Sequence, residues 1–148
     1  MRKDIMKNKI KEIYDSLDLI KKNLPDNYNN FQNLGLIKDG IYKRIEYSIE
    51  NLIDIFYIIS SDLDLSIPYD DTDLIDNLYS NQIINKEIAF LMKNMKGFRN
   101  IVVHRDGKID DRIAYTFIRE NLNDFYSIII CIENIMEKYW KYTKYLKH

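Results

Sequence analysis

The chain of 148 residues sets 22 Lys and Arg against 23 Asp and Glu, and a net charge of −1 gives no overall field toward nucleic acid or membrane. A hydrophobic content of 46% is ordinary for a globular protein, the length suits a single domain over residues 1–148, and one cysteine excludes an internal disulfide framework. The sequence reads without a signal peptide or an uncharged apolar run able to span a bilayer, so no membrane role and a cytoplasmic location are expected.

Met6, Ile10, Ile13, Leu17, Ile20 and Leu24 recur at steps of four and three, which draws one apolar stripe along a first helix that Pro25 ends. Residues 26–40 are rich in Asn and hold Gly35 and Gly40. They predict a connection containing a short turn of helix, with Tyr28, Phe31 and Leu34 leaning on the core. Ile41, Ile45, Ile49, Leu52, Phe56 and Ile59 mark a second helix, with Arg44, Glu46, Glu50 and Asp54 among its polar positions and Ser60, Ser61 and Asp62 closing it.

Aspartates crowd residues 62–76 around Pro68. They lack the central glycine and terminal glutamate of a calcium loop, and Asp is a common helix cap, so a solvated loop with N-caps is expected there and a metal site is not. A short helix follows over residues 73–79. Asn85 is placed to cap a third long helix that turns Ile88, Leu91, Met92, Met95 and Phe98 inward. Asp110 is placed to cap the last helix, with Ile113, Phe117, Leu122, Phe125, Ile129, Ile132, Met136, Trp140 and Leu146 along it and no Pro or Gly to interrupt it. At 1.5 Å per residue this helix spans roughly 50 Å, so its far end projects or meets another subunit. Cys131 reads as packing, as does the cluster of Tyr139, Trp140, Tyr142 and Tyr145. Strand signals are missing, which makes the fold class all-α, an up-down helical bundle of four main helices plus a short one.

The third long helix ends in Phe98, Arg99, Asn100, Ile101, Val102, Val103 and His104, followed by Arg105, Asp106 and Gly107, and His104 is the one histidine away from the chain end. At roughly 100° per residue Asn100 and His104 stack on one face with Arg99 beside them and Lys96 one turn earlier. Phe98, Ile101 and Val102 fall on another face, able to anchor the helix while the polar set looks outward. Gly107 suits the left-handed conformation just past a helix end, which puts His104 in the last turn, where the macrodipole favours a protonated imidazole. A guanidinium, an amide and an imidazole are the groups that phosphodiester cleavage uses for charge neutralisation, positioning and proton transfer. On spacing alone, a solvated last turn is the more common reading of the same residues. The chain holds no zinc spacing and no glycine-rich phosphate loop, so neither metal nor cofactor is expected.

The run Met95, Lys96, Gly97, Phe98, Arg99, Asn100, Ile101, Val102, Val103, His104, with Asp110 and a long amphipathic helix after it, closely resembles the HepT-like branch of the HEPN domains. The resemblance covers nearly the whole chain. It implies a HEPN-like bundle and a metal-independent endoribonuclease site in which Arg99 and His104 are catalytic and Asn100 holds the polar position after the arginine. It further implies that two copies of the site face one cleft in a homodimer, and that the protein is a toxin acting on RNA and paired with an MNT-type nucleotidyltransferase antitoxin. On that mechanism the 2′-hydroxyl of RNA is the nucleophile, His104 moves protons, Arg99 stabilises transition-state charge, Asn100 orients a phosphate oxygen or the imidazole, and Lys96 and Arg105 add RNA-binding positive field.

One position departs from the pattern. The family continues His-x-Tyr, and that tyrosine is where the partner attaches adenylate; here the position is Asp106, whose carboxylate is not the same acceptor, so no adenylylation is expected near His104. Two classes follow from the resemblance: a dimeric ribonuclease toxin, or a non-catalytic binding or scaffold partner of a nucleotidyltransferase. Metal-free RNA cleavage with and without His104 separates them.

Overall fold

In the computed structural model residues 2–103 and 109–146 are described, with side chains at 2–101 and 109–139. Among them are four long helices and two short ones, and no strand. α1 is Lys3–Asn23, α2 Tyr28–Gln32, α3 Leu36–Asp62, α4 Asp71–Ser80, α5 Lys86–Val103 and α6 Asp111–Leu146.

The apolar stripe of α1 faces the core as its spacing requires: Met6, Ile10, Ile13, Leu17 and Ile20 are buried, and the helix stops at Asn23, two residues before Pro25. Its main partner is α3, where Ile41, Ile45, Ile49, Leu52, Phe56 and Ile59 are all buried. A polar seam edges this pair, with the Tyr47 hydroxyl donating to Glu12 at 2.7 Å and Asn51 Nδ2 to the same oxygen at 3.4 Å.

α3 begins earlier than its apolar pattern suggests. Gly40 lies inside the helix, and Gly35, at φ 63°, is the N-cap whose carbonyl accepts from Lys38 N and Asp39 N. The added turn was masked because its apolar residues face solvent: Leu36 is 87% and Ile37 48% exposed. What holds that turn is polar. Lys38 Nζ pairs with Asp111 at 2.8 Å, and the Tyr42 hydroxyl donates to the other oxygen of the same carboxylate, tying α3 to the first residue of α6.

Burial by itself raises the pKa of Asp111, but the hydrogen bonds from Lys38 and Tyr42 and the Lys38 charge outweigh it, and the net shift is downward. Burial first and the bond to Asp111 second push the Tyr42 phenol well above its usual range. A carboxylate whose folded pKa is depressed contributes stability above its unfolded value and loses it as pH falls through the folded one. Unfolding free energy is therefore expected to drop as pH is taken below the ordinary aspartate value of 3.8, and Asp111→Asn to flatten that acid limb. Urea titrations at a series of pH values check this; an acid limb unchanged in the variant assigns it to other carboxylates.

The short elements follow from their caps. Asn27 Oδ1 accepts from Asn30 N at 2.8 Å to start α2, which delivers Phe31, fully buried, against Tyr42 and Tyr115. Asp70 Oδ1 accepts from Asp73 N, and Asp73 Oδ2 accepts from Tyr69 N, each at 2.8 Å, a reciprocal pair that starts α4 at Asp71, two residues earlier than its sequence pattern indicates. Asn85 caps α5 through Ile88 N, and Asp110 caps α6 through Arg112 N and Ile113 N, both as expected.

α5 lies against α3, α4 and α6. Its core line is Ile88, Met92, Met95 and Phe98, with Leu91 half-buried. Ile101, expected to anchor the helix, is 38% exposed. At 100° per residue it falls more than a quarter turn from the mean direction of that line. The same geometry applies to Ile113 on α6. The buried line there is Ala114, Ile118, Phe125, Ile128, Ile129, Ile132, Ile135 and Met136, and Ile113 sits to one side of it at 53% exposure. Cys131 is half-buried on α6, where burial pushes its thiol up and away from reactivity, in keeping with a packing role. α6 is continuous from Asp111 to Leu146, as its uninterrupted sequence requires. Tyr139 packs partly against the core, while the side chains of Trp140, Tyr142, Tyr145 and Leu146 lie outside the described residues.

Candidate functional site

Three of the sequence-derived site residues are described, Lys96, Arg99 and Asn100, all on α5; His104 and Arg105, with Asp106 and Gly107, lie outside the described residues. What brings the three to one place is the turn of α5 just after its core line, where Phe98 is 3% exposed and stacks on Phe117 of α6, ring centroids 4.1 Å apart and planes 8° from parallel. That stack fixes the rotation of the helix end, so residues 96, 99 and 100 face away from α6.

They do not face open solvent. The Arg99 guanidinium donates through Nη2 to Asp71 Oδ2 at 2.9 Å, and the two side chains are only 21% and 20% exposed. The other oxygen of Asp71 accepts from the Tyr57 hydroxyl of α3 at 2.7 Å. Lys96 Nζ donates to Thr72 Oγ1 at 2.6 Å, and Lys93 pairs with Asp76 at 2.8 Å. Partner numbers on α4 fall as those on α5 rise, from Lys93 with Asp76 to Arg99 with Asp71, so the two helices run antiparallel with a cationic face zipped to an acidic and hydroxyl face. Lys96 and Arg99 are thus partly buried and engaged, where the sequence reading had them outward. Asn100 is half-buried and makes no side-chain hydrogen bond among the described residues.

The electrostatics favour a fixed guanidinium. Asp71 is the first residue of α4, where the helix macrodipole favours a negative charge, and its two oxygens are taken by a phenol and a guanidinium. Burial first, then the bond to Asp71, pushes the Tyr57 hydroxyl up to about 12, so it remains a donor across neutral pH. One terminal nitrogen of Arg99 is committed to Asp71; the remainder of its five-donor fork has no partner among the described residues. Such an arrangement presents a positioned cation with donors to spare, which is what a phosphate oxygen requires. Sequence reasoning missed Asp71, Thr72 and Tyr57. No signal in the sequence singles them out, because several aspartates stand in the stretch before α5 and only the seating of α4 on α5 selects the partner.

The segment between α5 and α6 is bracketed on both sides, by the Arg99 clamp before it and the Asp111 anchor after it. Arg112, next to that anchor, lies over the Tyr28 ring at 4.3 Å. A model of the family described as "Ribonuclease HepT-like" matches residues 13–132, from the second half of α1 into α6, with both brackets and the segment between them. The chain belongs to the HepT-like ribonuclease family. It is 28% identical over 130 residues to the mRNA nuclease HepT of Shewanella oneidensis, covering 88% of this chain and 97% of that protein. Among solved structures, the tri-AMPylated Shewanella oneidensis HEPN toxin in complex with MNT antitoxin is similar at a TM-score of 0.80 and 27% identity, over 88% of this chain and 98% of the other. A crystal structure of a toxin-antitoxin with AMP-PNP gives a TM-score of 0.78 at 27% identity, over 87% of this chain and 98% of that one. The structural neighbours are HEPN toxins, and this HepT-like chain shares their all-α fold. No described helix is long and apolar enough to cross a membrane.

Proposed function

We propose that this HepT-like protein is a metal-independent endoribonuclease toxin whose site, Arg99, Asn100 and His104, is completed across a homodimer, with an MNT-type nucleotidyltransferase as its antitoxin. The observation that carries the reading is the clamped Arg99 at the end of α5, in a chain whose HepT relative is an mRNA nuclease and whose structural neighbour is held by an MNT antitoxin. The RNA 2′-hydroxyl, giving up its proton, attacks the adjacent phosphorus, the bond from phosphorus to the 5′-oxygen of the next nucleotide breaks, and that oxygen leaves protonated as a 5′-hydroxyl, with His104 moving the protons. Arg99 meets the charge that grows on the phosphoryl oxygens, and Asn100, with an uncommitted amide, orients one of them. Lys96, anchored on Thr72 but still cationic, and Arg105 add attraction for the backbone.

The homodimer is supported by apolar surface that one copy leaves uncovered: Ile101 and Ile113 at the site end, and Ile130 at 58% exposure farther along α6. The protein acts in the cytoplasm, where its RNA substrate is. Incubating purified protein with labelled RNA in EDTA is expected to give fragments ending in 2′,3′-cyclic phosphate, and light scattering to give twice the chain mass. Cleavage that needs an added divalent metal, or a monomer at micromolar concentration, overturns the mechanism or the composite site respectively. No cleavage under any condition leaves the same bundle as a non-catalytic partner of the nucleotidyltransferase.

A further inference from the structure

We propose that Asp71, held in turn by Tyr57, is a positioning residue for Arg99, fixing the guanidinium in the direction from which it meets phosphate; this rests on the ribonuclease reading above. Arginine has several rotatable bonds, and immobilising a free one while substrate binds costs rotamer entropy. Here that ordering is present before substrate arrives. Asp71 is rigid for three independent reasons: it opens α4, its Oδ1 is tied to Tyr57 at 2.7 Å, and its side chain is only 20% exposed. It reaches Arg99 through a single terminal nitrogen, so the fork is aimed without being used up. A preorganised donor of this kind acts on the transition state without reorganising during the reaction.

The alternative role for Asp71 is to clip α4 onto α5, and the structure supplies a control for it. Asp76 with Lys93 is a second pair between the same two helices, at 2.8 Å, and it does not touch Arg99. If Asp71 only clips, both pairs matter to stability and neither matters specifically to chemistry. If Asp71 positions, the two separate.

The test measures metal-free cleavage of one labelled RNA by the wild type, Asp71→Asn, Tyr57→Phe, Asp76→Asn, Arg99→Ala and the Asp71→Asn/Arg99→Ala double variant, the last two with and without millimolar guanidinium. Asp71→Asn is expected to lower kcat by about 10- to 100-fold with KM within about twofold, the size of effect a misplaced catalytic group produces. Tyr57→Phe should lose less, and Asp76→Asn nothing. Free guanidinium should restore part of the activity of Arg99→Ala, because Asp71 still offers it a seat, and should not restore the double variant. Circular dichroism melts identify any variant that fails to fold, and if Asp71→Asn is one of them, Tyr57→Phe probes the same carboxylate from the other side and a wild-type kcat there overturns the inference. Wild-type kcat in Asp71→Asn, or equal rescue of both Arg99→Ala backgrounds, overturns the inference while the ribonuclease reading survives. A wild type that does not cleave overturns the reading and takes this inference with it.

Discussion

His104→Ala is expected to reduce metal-free RNA cleavage by about 10²- to 10⁴-fold, the range that a positioned proton-transfer group contributes. Arg99→Ala should cost about 10²- to 10³-fold, because it removes a donor aimed at developing charge and leaves Asp71 facing the phosphate with no cation between them. On the proposed mechanism the two residues act on one transition state, so the double variant should be little worse than the poorer single one rather than the product of both losses. Single-turnover cleavage in EDTA, with every variant at the same protein concentration, reads these numbers directly. A His104→Ala protein that cleaves like wild type removes the proposed proton transfer outright. An Arg99→Ala protein that binds RNA more weakly but turns over normally reassigns Arg99 to binding.

The large elements were legible because local signals agreed with one another. The stripe from Met6 to Ile20 is buried in full, Pro25 stops the helix it was expected to stop, and the side chains of Asn85 and Asp110 accept the backbone donors that capping requires. The failures have a common cause: periodicity reports an average direction and says nothing of where an element meets its neighbour. The first turn of α3 was invisible because Leu36 and Ile37 are exposed and Gly40 reads as a breaker. A polar network to Asp111, 73 residues from Lys38, holds that turn down. Ile101 was placed inward as a member of an apolar run that drifts off the buried line before reaching it.

The site was legible as a set of chemical groups but not as an arrangement. Arg99, Asn100 and the histidine after them could be picked from the α5 sequence, and the family resemblance then assigned them roles. That Arg99 would pair with Asp71 could not be picked. Asp62, Asp64, Asp70, Asp71, Asp73 and Asp76 all stand in the preceding stretch, and only the antiparallel seating of α4 on α5 selects the one that meets the guanidinium. Asp62 in fact pairs with Arg2, and Asp70 and Asp73 are spent on the α4 cap. Asp71 and Asp76 link α4 to α5, and spacing alone distinguishes none of these duties.

Phe98→Ala is expected to cost about 3 to 5 kcal/mol of stability, more than any other substitution near the site. The side chain is 3% exposed and lies flat on Phe117, so truncation removes both the transfer free energy of a buried ring and the stacking contact, and it leaves a void between α5 and α6. Phe117 is itself only half-buried and can tilt into part of that void, which places the loss toward the lower end of the range. Phe98→Leu keeps apolar volume and should lose markedly less. Urea unfolding at a fixed protein concentration measures both, since unfolding of the proposed dimer would shift with concentration by mass action. The comparison with Asp71→Asn is the informative one. Phe98 holds the end of α5 in the core and Asp71 holds the guanidinium that this end carries, so the first variant should lose stability and activity together, and the second should lose activity while remaining folded. If Phe98→Ala keeps full stability, the Phe98–Phe117 stack is not what fixes the helix end, and the orientation of Arg99 rests on the contacts with α4 alone.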